Sequence, residues 1–213
     1  MTVTLAMLVR EPPLDRMAML LEYVQPVVSQ TVVVVDDRTS SRARDVMAAW
    51  GVEQVPFTWC DDFAAARNAA LPHVRGDWVL HLDPDELPSH AMLDFIRTVD
   101  ASPWQPFIEW QGQRYHDPLG YLFFTHNWFD GRKGEEYEEH WHCRLFRAAR
   151  GQWYKPVHEQ VALDMMPEAH TRGTNLLPKA PRAAVLIHSR LENAAIDEQY
   201  VAIGERGRSG ATA

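Results

Sequence analysis

Trp59-Cys60-Asp61-Asp62-Phe63-Ala64-Ala65-Ala66-Arg67-Asn68-Ala69-Ala70-Leu71, followed by Gly76-Asp77-Trp78-Val79-Leu80-His81-Leu82-Asp83-Pro84-Asp85-Glu86, is the stretch whose reading decides the fold. Phe63, Ala66, Ala69, Ala70 and Val74 recur at helical spacing, and Asp61 or Asp62 is placed to cap the helix. Gly76-Asp77 reads as a turn, and the apolar run Trp78 to Leu82 as a buried strand. Asp83, Asp85 and Glu86 then crowd the strand's carboxyl end.

Like charges at that density need open water or a neutralising cation, because desolvating them unpaired is expensive. Carboxylate oxygens suit hard Mg2+ or Mn2+, and Mg2+ is commonly held by one or two carboxylates plus substrate phosphates. In open α/β sheets, ligands bind outside the carboxyl ends of the strands, which is where these acids fall. The acid pair alone is equally compatible with a solvated loop whose carboxylates cap a helix beginning at Pro88.

Working outward, Val3 to Val9 reads as a strand. Arg10-Glu11-Pro12-Pro13 ends it and starts a helix whose Leu14, Met17, Leu20, Leu21 and Val24 share one face. Thr31 to Val35 is a second strand, so the opening predicts a right-handed βαβ unit with parallel strands. Its second strand ends in Asp36-Asp37, beside the end of the first, on one crevice; the same two acids would also serve as a turn and N-cap for a helix over Arg42 to Trp50. Gly51 closes that helix, and Val52 to Trp59 gives a third strand that Pro56 places near an edge.

Beyond the acids, Pro88 is expected to open a helix with Met92, Phe95, Ile96 and Val99 in the core. Phe107 to Gln111 reads as a strand, and Gly112 to Trp141 as the least regular part, rich in aromatic residues that fill the core or cover a ligand. His140-Trp141-His142-Cys143 matches no structural zinc spacing, and the alternation through Arg147 reads better as a strand. Asp164 to Lys179 reads as a connection, Ala183 to Ile187 as a last strand ending in His188, and Glu192 to Glu205 as a terminal helix.

Composition bounds the function. The 213 residues suit one ordinary domain, and a formal charge of −8 argues against a general nucleic-acid binder. Cys60 and Cys143 make no disulfide framework, no secretory leader or stretch of about 18 apolar residues is visible, and a soluble cytoplasmic protein is expected.

Asp-Asp-Phe-x-x-x-Arg-Asn followed by Gly-Asp-Trp-x-Leu-x-Leu-Asp-x-Asp-Glu resembles the small family 2 glycosyltransferases of the GT-A fold, a group that includes lipopolysaccharide-core glucosyltransferases. The resemblance runs with gaps from about Val3 to His188 and includes Arg144-Leu145-Phe146-Arg147 and Val157-His158-Glu159. It implies an α/β GT-A domain over residues 1–205, mostly parallel in its central sheet, and a tail over 206–213. The nucleotide half would span about 1–100 and the acceptor half about 101–205.

The same resemblance implies that Asp83, Pro84 and Asp85 grip a nucleotide-sugar diphosphate through Mn2+ or Mg2+. It places Arg10, Glu11 and Asp36 at the nucleotide and His188 as a late metal ligand. Arg67 is a further candidate for that pocket, since a guanidinium fork suits phosphate and ribose oxygens, although its spacing also allows a surface pair with Asp61 or Asp62. Arg10 stands where the family commonly has Asn, and Asp37-Arg38-Thr39-Ser40-Ser41 departs from its usual Thr-Gly-Ser-Thr-Asp. Inverting transfer needs a carboxylate to take the acceptor hydroxyl's proton, and Glu159 is the candidate base.

The expected activity is therefore metal-dependent transfer of a sugar from a nucleotide-diphosphate donor, a UDP-sugar first among them. The acceptor would be a hydroxyl on a glycan, lipid-linked or other molecule, nucleic acid being disfavoured by charge. A nucleotidyltransferase and a catalytically degenerate nucleotide- or glycan-binding domain are the competing classes. The first lacks the expected Gly-rich phosphate loop after its first strand. The second is opposed by intact Asp83, Asp85 and Glu159.

Overall fold

β-Branched and aliphatic residues dominate both opening strands, β1 (Val3–Val9) and β2 (Gln30–Asp36), in the computed structural model, which describes residues 2–100, 107–110, 113–116, 118–129, 140–163, 177 and 179–190. Helix α1 (Leu14–Val24) links them, burying Met17, Leu20, Leu21 and Val24. The strands run parallel, with Val9 opposite Val35. Val32 to Val35 are fully buried because helices and loops cover both sheet faces, each valine contributing about 1.5–3 kcal/mol.

Helix α2 (Ser41–Ala49) follows; Ser40 caps it by accepting from the Ala43 N–H. It closes at Gly51, whose φ of 67° suits glycine and lets its N–H reach the Ala48 carbonyl at 2.9 Å. Strand β3 (Glu53–Phe57) lies at the sheet edge with Pro56 exposed, as Pro56 predicts. Helix α3 (Phe63–Asn68) is capped by Asp62, whose carboxylate accepts from the Ala65 N–H. Strand β4 (Trp78–His81) pairs parallel with β1.

Pro88 does not open a helix. Glu86–Pro88 is a short strand, β5, and Ser89 instead caps α4 (His90–Asp100), its hydroxyl accepting from the Met92 N–H at 3.2 Å. Proline suits β5 because the strand is the last in its sheet and needs no second ladder. Met92, Phe95, Ile96 and Val99 are buried as expected.

Between Gly112 and Trp141 the described residues are more regular than composition suggests. After β6 (Phe107–Trp110) come β7 (Gln113–His116), its antiparallel partner, and β8 (Gly120–Phe129). Tyr121 and Phe123 alternate into the core of β8, packing on Phe95 from α4, so aromatic density here marks a buried strand. The part of that segment from Asp130 to Glu139, the connection from Asp164 to Lys179 apart from Leu177 and Lys179, and the expected terminal helix from Glu192 to Glu205 lie outside the described residues.

Strand β9 (His140–Arg147) joins the two halves by pairing antiparallel with both β4 and β8. A separate hairpin, β10 (Gly151–Tyr154) with β11 (Gln160–Leu163), follows, and β12 (Val185–Arg190) completes the sheet. The eight-stranded order is β3-β2-β1-β4-β9-β8-β12-β5, with β3-β2-β1-β4 and β8-β12 parallel. This is the expected α/β arrangement with a mostly parallel sheet. Among the described residues no helix is long and apolar enough to cross a membrane.

Candidate active site

His81 and Asp83 are two positions apart at the end of an extended strand, which puts both on the sheet face opposite Leu80 and Leu82. β4 pairs with β9 through Leu80 and Leu145, and continuing that register brings Arg144 to His81. Arg144 Nη1 lies 3.0 Å from His81 Nδ1, while Arg67 Nη1 of α3 contacts His81 Nε2. A neutral imidazole has one lone-pair nitrogen, so it accepts from one of these arginines only. Burial pushes the His81 ring well below its ordinary 6.5, and the Arg67 charge adds to the effect.

Arg67 is buried at 8% exposure and so is not the surface cation that its spacing also allows. Its Nη1 donates to Asp83 Oδ1 at 3.0 Å and its Nε to Glu159 Oε1 at 2.7 Å. Burial opposes ionisation of Asp83, yet the surrounding charges, Arg67 foremost, hold its carboxyl well below the usual carboxylate range. The Asp83 side chain is 28% exposed, with Oδ2 3.8 Å from Arg144 Nη1 and beyond hydrogen-bond reach of it.

The turn after β4 is locked from both ends. The Glu86 N–H donates to the Asp83 carbonyl at 3.0 Å, and the Asp83 N–H donates to Glu86 Oε2 at 2.8 Å. Glu86 is itself 1% exposed and paired with Arg144 Nη2 at 2.5 Å. The third acid of the cluster is therefore a strut, and Asp83, Pro84 and Asp85 form the partly exposed tip.

α3 also fixes the hairpin. The Asn68 amide donates to the Trp153 carbonyl and accepts from the Trp153 N–H, both at 2.8 Å, and the Phe63 N–H donates to the Pro156 carbonyl at 2.9 Å. His158 and Glu159 sit in the β10–β11 loop, where Lys155 and His158 have positive φ of 72° and 52°. Glu159 reaches Arg67 because this loop folds back onto the helix.

The nucleotide candidates lie at the ends of β1 and β2. Glu11 accepts from the Ser40 hydroxyl at 2.7 Å and the Ser40 N–H at 3.0 Å, tying the two loops together and lowering its own pKa. Arg10 is exposed beside it. Asp36 is buried, and its carboxylate receives a fork from Arg38: Nε to Oδ1 at 2.8 Å and Nη2 to Oδ2 at 2.5 Å. Burial opposes ionisation of Asp36, but the Arg38 hydrogen bonds outweigh it and the pKa falls.

Asp83 and Asp85 supply hard oxygen donors and suit a divalent cation completed by phosphate oxygens, although Arg67 already occupies Asp83 Oδ1. Among the described residues no group of three or more His, Cys, Asp or Glu is arranged to hold a metal. The backbone of β12 places His188 opposite Glu86, one residue beyond Asp85.

Arg67, Asp83 and Glu159 thus meet, with Asp85 two residues on in the same turn, whereas Glu11 and Asp36 are held by Ser40 and Arg38 at the ends of β1 and β2. His81 and Arg144 went unrecognised as site residues, although the two-residue spacing of His81 from Asp83 was a usable signal. Arg38, at the departure from the family's usual pattern, covers the Asp36 carboxylate.

Solved structures share the fold. A mycobacterial protein superposes with a TM-score of 0.53 at 11% identity, covering 91% of this chain and 69% of that one. Glucosyl-3-phosphoglycerate synthase from Mycobacterium tuberculosis, crystallised with Mn2+, uridine diphosphate and phosphoglyceric acid, gives 0.55 at 10% identity over 92% of this chain and 73% of its own. S. aureus TarS 1-349 in complex with UDP-GlcNAc gives 0.52 at 11% over 91% and 60%. At such identities the likeness establishes the GT-A arrangement alone. A TPR repeat-containing protein of Synechococcus elongatus is 38% identical over 55 residues, which are 26% of this chain and only 14% of that protein. The pattern of Glycosyl transferase family 2 matches residues 15–152, and the chain belongs to that family.

Proposed function

We propose that this chain transfers a sugar from a nucleotide-diphosphate donor to an acceptor hydroxyl, with inversion and with Mn2+ or Mg2+ at Asp83 and Asp85. The observation that carries this reading is Arg67, which joins the acidic turn on the donor side to Glu159 on the hairpin. The nucleotide diphosphates named with the structural neighbours, UDP and UDP-GlcNAc, support a UDP-sugar as first choice.

Asp83 and Asp85, with His188 as a third candidate ligand, would hold the cation, which when bound stabilises charge on the departing diphosphate. Arg67 keeps Asp83 ionised and aligned. Glu159 commits Oε1 to Arg67, leaving Oε2 to take the proton of the acceptor hydroxyl. Arg10, Glu11 and the Asp36–Arg38 pair would receive the nucleoside at the ends of β1 and β2. Free Cys60 and Cys143 fit a reducing, cytoplasmic setting.

The test is calorimetry of UDP binding with and without Mn2+. Asp85→Asn is expected to abolish the Mn2+-dependent part of the affinity with the melting temperature kept. Unchanged affinity in that variant removes the metal role.

A further inference from the structure

We propose that Arg38, and not Asp36, is the residue at the carboxyl end of β2 that meets the nucleobase, and that it selects bases offering carbonyl oxygens; Asp36 is a positioning residue acting through it. This rests on the nucleotide-sugar reading above and specifies its base pocket.

Exposure separates the two residues. The Asp36 side chain is 3% exposed and that of Arg38 41%. Asp36 Oδ1 receives both the Arg38 backbone N–H at 2.9 Å and Nε at 2.8 Å, while Oδ2 receives Nη2 at 2.5 Å. A carboxylate oxygen offers about two lone-pair sites, so Oδ1 is filled and Asp36 is largely spent before any ligand arrives. A base reaching the end of β2 encounters the guanidinium first.

That guanidinium is held ready. Its carbon lies 5.6 Å from the centre of the Trp59 ring, and the ring is fixed in turn by its indole N–H to Asp61 Oδ1 at 2.8 Å and by an edge contact with Phe63 at 4.7 Å. Nε and Nη2 are committed to Asp36, whereas Nη1 has no hydrogen-bond partner among the described residues. A rigid fork loses little freedom on binding. Its N–H groups donate only, so they suit the carbonyl oxygens of uracil or guanine better than the edge of adenine, where the amino group donates as well and only ring nitrogens accept.

Calorimetry of UDP, GDP, ADP and uridine in the presence of Mn2+ tests this on the wild type, Arg38→Ala, Asp36→Asn and the double variant. The wild type is expected to prefer UDP or GDP over ADP. Arg38→Ala should weaken UDP about tenfold, the loss of one charge-assisted hydrogen bond, and weaken ADP much less. Asp36→Asn should erode the same preference, and the double variant should be no worse than Arg38→Ala alone. Arg38→Lys keeps the charge beside Asp36 but lacks the fork, so it should also lose selectivity, and it carries the comparison if the alanine variant does not fold.

Tighter UDP binding by Arg38→Ala would mean that Arg38 merely plugs Asp36, and an unchanged base preference would remove it from recognition; either overturns the proposal. Loss confined to UDP with uridine unaffected would assign Arg38 to phosphate and overturn it too. A wild type that binds none of the nucleotides would instead sink the nucleotide-sugar reading itself.

Discussion

Arg67 Nε donates to Glu159 Oε1 at 2.7 Å, binding α3 to a loop 92 residues away in sequence. Both side chains are about nine-tenths buried, at 8% and 10% exposure. Truncating one partner of a buried pair leaves an uncompensated charge, which costs about 3–5 kcal/mol. Arg67→Met should therefore destabilise the fold by about 3 kcal/mol or more in chemical denaturation. The double variant Arg67→Met, Glu159→Met should recover only part of it, because Asp83 also loses its partner. Additive losses would show that the pair carries no coupling.

His81 predicts an acid-labile core. Its folded pKa lies well below 6.5 through burial and the charge of Arg67, so below about pH 6.5 the unfolded chain binds a proton that the folded chain refuses. Stability should fall as pH drops from there. Asp83 and Asp36, with depressed folded pKa values, contribute stability present above the ordinary carboxylate range and lost as pH falls below it. Melting temperatures from pH 7.5 to 5 should decline, and His81→Gln should flatten that upper part of the curve. An unchanged slope in the variant would assign the decline elsewhere.

The nucleotide half was legible because its strands are short valine-rich runs separated by helices with one apolar face. Helix α3 also starts on a side-chain cap read from the sequence, Asp62, whereas α2 starts on Ser40 and not on Asp36 or Asp37. The second half was less legible because β8 begins on a glycine and is itself dense in aromatics, which composition assigns to a loop as readily as to a strand. The candidate site's acids and Arg67 stood out in the sequence, but how they are wired together depended on long-range pairing. Only the antiparallel register of β4 with β9 brings Arg144 to His81, and only the folded-back hairpin loop brings Glu159 to Arg67. No local pattern encodes either meeting.

The two cysteines should differ sharply in reactivity. Cys60 is exposed, whereas Cys143 is half-buried and burial pushes its thiol up to about 12. At pH 8 a thiol with that pKa is ionised in about one molecule in ten thousand, and the thiolate is the nucleophile. A thiol-reactive dye should label one site per native chain within the time that labels two in denaturant. Two equally fast sites in the native protein would show that Cys143 is not shielded.

Glu159→Gln gives the sharpest test of the proposed chemistry. The amide retains an oxygen that accepts from Arg67 Nε at the same place, so the loop and Asp83 should keep their positions, while the group can no longer take a proton. A base used mainly in the transition state lowers turnover when removed and leaves donor affinity nearly intact. The variant should bind UDP and Mn2+ like the wild type and transfer sugar about a hundredfold or more slowly, the scale of general-base catalysis. Transfer within a few-fold of the wild type would place the base elsewhere, with Asp117, Asp130 and the acids from Glu135 to Glu139 next in line. An equal loss of UDP affinity would instead make Glu159 a structural partner of Arg67.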